Sequence, residues 1–233
     1  MKIGVIGGNG VAATNRLCAM IENKVTLAGA FRDAHHPEMI IWQATSVPSR
    51  SMFLEGRGPD WRPDYIRIAK ELKRLGCDYG CMCCNTAHYA VNEIEEESHL
   101  KFLNLLEEVA QAVLASGCKR VEMFCSDGAR KFDIYGAVFR RICPGVEMVY
   151  PCEERQRLVT KIICSVKTSA RFAGDPASEL KNLILSSSHP VVLGCTDLRV
   201  AFRLDQQKID GIVVDSLECL ADTIVKVAGN KTV

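Results

Sequence analysis

The chain has 233 residues, of which 48% are hydrophobic and 24% are charged, a balance typical of a globular protein with one large or two small domains. Its formal net charge of +1 gives no electrostatic footprint for nucleic acid or for an anionic membrane, so we expect neither as a partner. Every apolar run is shorter than the ~18 residues that a membrane-spanning helix needs.

In chain order, short apolar runs alternate with amphipathic stretches. The runs predict strands at Lys2–Ile6, Met39–Ala44, Tyr79–Cys83, Phe102–Leu105, Val121–Cys125, Val146–Tyr150, Val191–Leu193 and Ile212–Val214. The clearest helix is Asp64–Leu75, which has Pro63 at its start and Gly76 just past its end. Other helices are predicted near 10–24, 86–97, 106–116, 130–142, 154–166, 177–187 and 216–228. The alternation favours an α/β fold whose mainly parallel sheets are flanked by helices.

Cysteine is frequent, with twelve copies, yet it stays below the roughly 8–10% of a disulfide scaffold. Many copies lie inside apolar runs, where a single cysteine is usually a small buried hydrophobe. The first eight residues predict a buried strand rather than a secretory signal. We therefore expect reduced thiols and a cytoplasmic location.

One motif occurs twice: an apolar strand, then a cysteine, then a threonine that can cap a helix. The cysteines of the two copies are Cys84 and Cys195. Because ligands bind at the carboxyl ends of parallel strands, both cysteines are candidates for one site. The repeat predicts two similar lobes that face each other across a cleft. The predicted lobes are residues 1–104 with 208–233, and residues 105–207.

A glycine-rich turn follows the first strand at Gly8, Asn9 and Gly10 and matches a dinucleotide-binding pattern. That pattern also needs an acidic residue at the end of the second strand, where Gln43 and Ala44 stand, so a nicotinamide or flavin cofactor is disfavoured. A tight turn is the plain interpretation. The turn's backbone N–H groups could also bind a substrate carboxylate.

A metal site is not predicted. Cys81 and Cys83 would face the same side of a strand, whereas Cys84 leaves the sheet. The sequence supplies no partner pair of cysteines or histidines at zinc-ligand spacing.

Residues 84–88 (CNTAH) and 194–197 (GCTD) together resemble the two catalytic motifs of the aspartate/glutamate racemase family. Residues 6–10 resemble that family's glycine loop. Residues 49–51, with Arg50, and residues 166–167, with Lys167, resemble segments that face the substrate in aspartate racemases. The resemblance runs from residue 3 to about residue 215.

The resemblance implies two lobes related by a pseudo-twofold axis, with Cys84 and Cys195 as catalytic residues in the cleft between them. It implies racemisation with neither a cofactor nor a metal, an amino-acid substrate such as aspartate or glutamate, and an assembly that is often a homodimer. Asn9 stands where aspartate racemases commonly have methionine, and Asp197 replaces the more usual glutamate. Both departures leave the substrate open.

Two thiols suit this reaction because their ordinary pKa near 8.5 lies close to neutrality, and a helix N-terminus lowers it. For the negatively charged intermediate, the expected donors are backbone N–H groups of the glycine loop, Asn85, Thr86 and Thr196. Capping is the alternative role of the last three residues.

Four side chains have open roles. If Arg50 and Lys167 bind a side-chain carboxylate, the substrate is acidic, whereas each alone would usually be a surface charge. Asp197 is predicted to orient Cys195, to accept the substrate ammonium, or simply to favour the helix dipole. His88 is predicted to tune the pKa of Cys84 or to be a buried histidine bonded to backbone. The segment Pro48–Pro63 is a lid or an ordinary surface loop.

Three alternatives remain open at this point. A related two-cysteine enzyme would be a broad-specificity or hydantoin racemase or a maleate isomerase. A protein that binds amino acids without catalysis would leave the α-proton in place. A nucleotide-dependent oxidoreductase is disfavoured by the missing acidic residue.

Overall fold

The computed structural model describes residues 1–167, 175–202 and 212–229, and within them lie two parallel sheets of four strands each. The first sheet contains β1 (Lys2–Gly7), β2 (Glu38–Gln43), β3 (Tyr79–Met82) and β4 (Lys101–Phe102), in the order β2-β1-β3-β4. The second contains β5 (Arg120–Phe124), β6 (Glu147–Val149), β7 (Val191–Leu193) and β8 (Ile212–Asp215), in the order β6-β5-β7-β8. The two orders are equivalent strand by strand, which confirms the predicted α/β fold with two similar lobes.

Helices connect these strands, as expected for parallel pairing. They are α1 (Val11–Leu27), α2 (Arg50–Leu54), α3 (Arg62–Arg74), α4 (Val91–Ser98), α5 (Leu105–Ala115), α6 (Asp127–Lys131), α7 (Gly136–Ile142), α8 (Glu153–Lys167), α9 (Pro176–Leu185), α10 (Thr196–Ala201) and α11 (Ser216–Ala228). Helix α3 buries Tyr65, Ile68, Ala69 and Leu72 on one face, as its periodicity predicts. Among the described residues, no helix combines the length and the apolar character needed to cross a bilayer.

The structure differs from the predicted secondary structure near 130–142 and at Pro48–Pro63. The single helix expected near 130–142 is interrupted, because Asp133 has a φ of 45° in a turn between α6 and α7. The segment expected as a loop at Pro48–Pro63 contains α2, whose first turn is capped by the Ser49 side chain accepting from the Met52 N–H at 3.4 Å. In the first case a turn residue, and in the second a capping residue, determines the local structure against the prediction made from the sequence pattern.

Within the segment 208–233, the described residues 212–229 divide between the lobes rather than joining the first. Its strand β8 pairs with β7 and so belongs to the second sheet, unlike the predicted assignment. Its helix α11 packs against α1 of the first lobe and also against α5. The strand follows parallel pairing, whereas the helix bridges the two lobes.

One hydrophobic cluster extends through both lobes, and each lobe has a further cluster of its own. Val5 and Cys81 of the first lobe and Val121 and Met123 of the second belong to the same buried cluster. Interior parallel strands are apolar on both faces, and here the inner faces meet across α1, α5 and α11. Packing between the lobes therefore fixes the relative position of their strand ends.

Candidate active site

Cys84 and Cys195 occupy equivalent places in the two lobes. Cys84 lies just beyond β3 and directly precedes a 3₁₀ turn at Asn85–Ala90, while Cys195 lies just beyond β7 and directly precedes α10. Both cysteines have extended backbone and a partly exposed side chain. Cys83, next to Cys84, is fully buried. Exposure thus separates the two predicted catalytic cysteines from a core thiol beside them.

The pKa of Cys195 is set by its surroundings, including Cys84. Burial, and next the charge of Asp197, raises the pKa of Cys195 well above its ordinary value. The Asp197 backbone N–H and the Lys167 ammonium oppose this shift, and Cys84 adds to it. Burial lowers the pKa of Lys167, but Asp197 and both cysteines raise it overall. Cys195 is therefore a thiol at neutral pH, and one ammonium acts on both cysteines.

A cleft of about 720 Å³ is lined in part by the charged side chains that act on the two cysteines. The structure brings six of the predicted substrate-binding residues into its lining: Gly8, Asn9, Gly10, Arg50, Lys167 and Asp197. Arg50 and Lys167 connect this cleft electrostatically to the cysteines. Residues that are far apart in the sequence and come from both lobes thus converge on one space large enough for an amino acid.

The glycine loop is shaped for close approach. Gly8 has a φ of 81° and Gly10 a φ of 154°, conformations that favour glycine. A Cβ on Gly8 would lie 2.5 Å from the backbone nitrogen of Ala44, and one on Gly10 would lie 2.6 Å from Asp197 Oδ1. Asp197 of the second lobe therefore lies directly against the loop of the first.

Arg50 is buried at the head of α2, with 9% of its surface exposed. Its guanidinium donates to the carbonyl oxygen of Pro48 at 2.7 Å and to that of Asn9 at 3.4 Å. Burial lowers its pKa, but Cys84, Tyr65 and Asp197 raise it overall, with Cys84 the largest of these. The guanidinium therefore holds the glycine loop and lies within electrostatic reach of Cys84.

Lys167 and Asp197, which both line the cleft, form an ion pair. Lys167 Nζ lies 3.1 Å from Asp197 Oδ2. Burial raises the pKa of Asp197, while Lys167 and Arg50 oppose that shift. Asp197 Oδ1 is buried and has no hydrogen-bond partner among the described residues. A buried acceptor without a partner is costly, so this oxygen is ready to receive a donor.

The polar side chains that follow each cysteine form hydrogen bonds with other segments of the chain. Asn85 accepts from Tyr135 at 2.6 Å and donates to Ser216 at 3.1 Å. Thr86 Oγ1 lies 3.3 Å from Ser126 Oγ, and Thr196 donates to the Cys83 carbonyl oxygen at 3.4 Å. The side chains of Asn85, Thr86 and Thr196 are therefore engaged in contacts within the protein.

His88 is held by two backbone groups. Its Nδ1 lies 3.0 Å from the Cys84 carbonyl oxygen, and its Nε2 accepts from the Leu105 N–H at 3.1 Å. With Nε2 an acceptor, Nδ1 carries the proton and donates to Cys84. Burial lowers the pKa of His88 to about 4, so the ring is neutral. Of the two roles predicted for His88, this geometry matches the buried histidine that is bonded to backbone.

Two tyrosines at the site were not predicted from the sequence as functional. The Tyr65 hydroxyl accepts from Asn9 Nδ2 beside the glycine loop. The Tyr135 hydroxyl donates to Asn85 next to Cys84. Tyr65 was predicted on the core face of α3, and the structure confirms that it is buried there. No local motif predicts that its hydroxyl contacts Asn9.

The twelve cysteines, all of which lie among the described residues, form no disulfide. Across residues 1–167, 175–202 and 212–229, no three histidine, cysteine, aspartate or glutamate side chains converge to hold a metal ion. The cleft lining includes the Lys167–Asp197 ion pair, the Arg50 guanidinium and the glycine loop.

Two alike parallel lobes, each with a cysteine at the end of an equivalent interior strand, define the class of two-lobed α/β racemases. The model of the Asp/Glu/Hydantoin racemase family matches residues 3–224. The chain belongs to this family, and it is an enzyme of the amino-acid racemase kind, as the motifs predict.

Individual relatives agree with this family. The chain is 25% identical over 231 residues to the broad specificity amino-acid racemase RacX of Bacillus subtilis strain 168, covering 96% of both chains. The aspartate racemase of Picrophilus torridus has a TM-score of 0.80 at 25% identity, with 100% of this chain and 96% of that chain covered. A glutamate racemase of Francisella tularensis, at 14% identity and a TM-score of 0.59, covers 100% of this chain and 84% of its own, and shows the shared fold alone.

Proposed function

We propose that the chain racemises an amino acid by transferring the α-proton between Cys84 and Cys195. The observation that carries this proposal is the pair of equivalent cysteine turns, by which we mean the chain around Cys84 and the chain around Cys195. Both cysteines raise the pKa of Lys167, and Cys84 raises that of Cys195. Cysteines supplied by two different lobes can reach one carbon from opposite sides. Inversion of configuration without rotation of the substrate requires that arrangement.

The proposed reaction needs one thiolate and one thiol. The thiolate takes the α-hydrogen as a proton, and the electron pair left on carbon spreads into the carboxylate. The opposing thiol then donates its proton to the other face, so the two sulfurs exchange protonation states. In one direction Cys195 acts as the acid, consistent with its raised pKa, and Cys84, which lies near the Arg50 guanidinium, acts as the base.

The intermediate carries negative charge that must be stabilised before it forms. The first N–H groups of a helical turn have no partner within that turn. We assign the N–H groups of Asn85, Thr86 and Thr196, together with the glycine loop, to the substrate carboxylate. Their side chains are anchored elsewhere, which keeps these donors in place.

For the substrate we propose aspartate or glutamate. A side-chain carboxylate would bind Lys167 and Arg50 and would take Lys167 from Asp197. The released Asp197 carboxylate would then accept the substrate ammonium. The similarity to an enzyme named as an aspartate racemase supports this choice.

A broader range is the second candidate. Lys167 and Arg50 already have partners within the protein, so a second substrate carboxylate must compete for them. A relative of similar identity is named as a broad specificity racemase. Hydantoin racemisation, maleate isomerisation and binding without catalysis are the remaining alternatives.

The test is incubation in heavy water with single enantiomers of each amino acid and no added cofactor. We expect aspartate or glutamate to gain α-deuterium and to lose optical purity, and Cys84→Ala and Cys195→Ala each to abolish racemisation. Cys152→Ala removes an exposed thiol elsewhere and is the matched control. Normal racemisation by both single variants would refute the mechanism, and reaction of a non-acidic amino acid alone would refute the proposed roles of Arg50 and Lys167.

Two further predictions concern the cell and the assembly. We propose a cytoplasmic location, because cysteines outside disulfides, as all twelve are here, persist best in a reducing compartment. We also propose a homodimer, which the family resemblance allows. Sedimentation would distinguish it from a monomer of 25.7 kDa.

A further inference from the structure

Tyr135 joins the two cysteine turns through one hydroxyl group. It is fully buried at the start of α7. Its hydroxyl lies 2.6 Å from Asn85 Oδ1 and 3.3 Å from the Gly194 carbonyl oxygen. Asn85 directly follows Cys84, and Gly194 directly precedes Cys195. A single donor is thus shared by the neighbours of both proposed catalytic residues.

The surroundings hold this hydroxyl in place. A Cβ on Gly194 would lie 3.1 Å from the Tyr135 ring and 2.5 Å from Met123 Sδ, so glycine allows the ring to approach the second turn. On the other side, Asn85 also donates to Ser216 Oγ at 3.1 Å, which fixes the orientation of its amide. Burial raises the pKa of Tyr135 well above its ordinary value, so the hydroxyl remains a donor.

We propose that Tyr135 is a positioning residue that sets the separation of the Cys84 and Cys195 turns. The inference rests on the proposed function, because only a two-sided proton transfer needs a fixed distance between two thiols. Reacting atoms must come within about 3–3.5 Å, and a misplacement of about 1 Å can cost about 10²-fold in rate. A bond to each turn from one rigid, buried ring limits such a misplacement.

The predicted consequence is a change in the outcome of deprotonation. With the turns misplaced, the nearer thiolate still removes the α-proton, but the opposing thiol delivers its proton poorly. The nearer sulfur then returns a solvent-derived proton to the original face. Substrate therefore gains α-deuterium with retained configuration, while racemisation slows.

The experiment compares Tyr135→Phe with the unmodified protein in heavy water, using a single enantiomer of an amino acid that the unmodified protein racemises. We expect racemisation to fall by about 10- to 100-fold. We expect the ratio of α-deuteration with retention to racemisation to rise by about tenfold, with little change in KM. Simple destabilisation would lower both rates together and leave their ratio unchanged.

The matched control is Tyr150→Phe. The Tyr150 hydroxyl donates to Asp133 at 3.0 Å in the same lobe and bonds to neither cysteine turn, so we expect an unchanged ratio. Asn85→Ala removes the acceptor and should reproduce the changed ratio if Tyr135→Phe folds poorly. An unchanged ratio in folded Tyr135→Phe or Asn85→Ala overturns the inference, whereas absence of exchange and racemisation in the unmodified protein overturns the proposed function instead.

Discussion

The turn after Cys84 and the turn after Cys195 have the same place in the fold but different electrostatic surroundings. Cys84 lies near the Arg50 guanidinium, whereas Cys195 lies near the Asp197 carboxylate, which raises its pKa. Equivalent topology thus places the two thiols, and their neighbours make them unequal. Catalytic pairs with opposite roles commonly differ in this way, because the environment assigns acid and base.

The largest expected effect comes from replacing either cysteine, and it tests whether each cysteine acts on a different enantiomer. Cys84→Ser and Cys195→Ser should each lower racemisation by about 10³-fold, because each removes one of the two proposed proton carriers. In the proposed arrangement, each enantiomer directs its α-hydrogen toward only one of the sulfurs. Each variant should therefore still exchange the α-proton of one enantiomer, and the two variants should choose opposite ones. Proton NMR in heavy water would measure this, and exchange of the same enantiomer by both variants would contradict the assignment of opposite faces.

A smaller loss is expected where the two lobes touch at the glycine loop. In Gly10→Ala the new methyl group would lie 2.6 Å from Asp197 Oδ1, and the φ of 154° disfavours alanine. We expect racemisation to fall by about 10²-fold because Asp197 must move. Gly29→Ala is the matched control, since its φ of 100° is also unfavourable but its methyl group meets nothing within 4 Å. Equal activity of the two variants would show that contact with Asp197 is unimportant.

Removing the acidic side chain should make the two turns more alike. Asp197 raises the pKa of Cys195, and Lys167 opposes it, so Asp197→Asn should lower the pKa of Cys195. We expect alkylation of Cys195 by iodoacetamide to begin at lower pH, and racemisation to fall by about tenfold through loss of substrate orientation. Peptide mass spectrometry across a pH series measures the alkylation. Asp222→Asn, which is paired with Lys24 far from the cleft, should leave the alkylation profile unchanged, and an unshifted profile in Asp197→Asn would contradict the proposed contrast.

The comparison also shows which parts of the site are readable from the sequence. Cys84 and Cys195 were predictable because strand, cysteine and threonine follow one another locally, and the glycine loop was predictable for the same reason. The two-lobed α/β fold followed from the alternation of apolar runs and amphipathic stretches. These features depend on neighbours in the chain.

Contacts between distant segments were not predictable. The ion pair of Lys167 with Asp197 and the bond of Tyr135 with Asn85 join residues from separate elements, and neither leaves a local pattern. The placement of β8 in the second sheet likewise depends on pairing with β7, not on the strand's own composition. The proximity of Arg50 to Cys84 is also a long-range contact that required the structure, whereas Asp197 lies two residues from Cys195 in the sequence.

The last contrast lies four residues beyond each cysteine, at His88 and Arg199. His88 is neutral because burial lowers its pKa to about 4, from an ordinary 6.5. The unfolded chain therefore binds a proton before the folded protein does, and stability is lost as the pH falls from about 6.5 to about 4. The loss amounts to about 3 kcal/mol. Urea unfolding across this range should show a shallower decline in His88→Gln, while His36→Gln should keep the full decline.

On the other turn the sign is opposite. Arg199 Nη1 lies 3.3 Å from Asp215 Oδ2, and burial raises the pKa of Asp215 to about 6 despite that pairing. Here the folded protein binds the proton first, so this carboxyl group favours folding more strongly as the pH falls from about 6 toward its ordinary value of 3.8. Asp215→Asn, which can still cap α11, should therefore steepen the acid-side decline that His88→Gln makes shallower. If both variants changed the slope of stability against pH in the same direction, His88 and Asp215 would not have opposite effects on folding. The proposed electrostatic difference between the two turns would then be contradicted by a measurement that does not depend on catalysis.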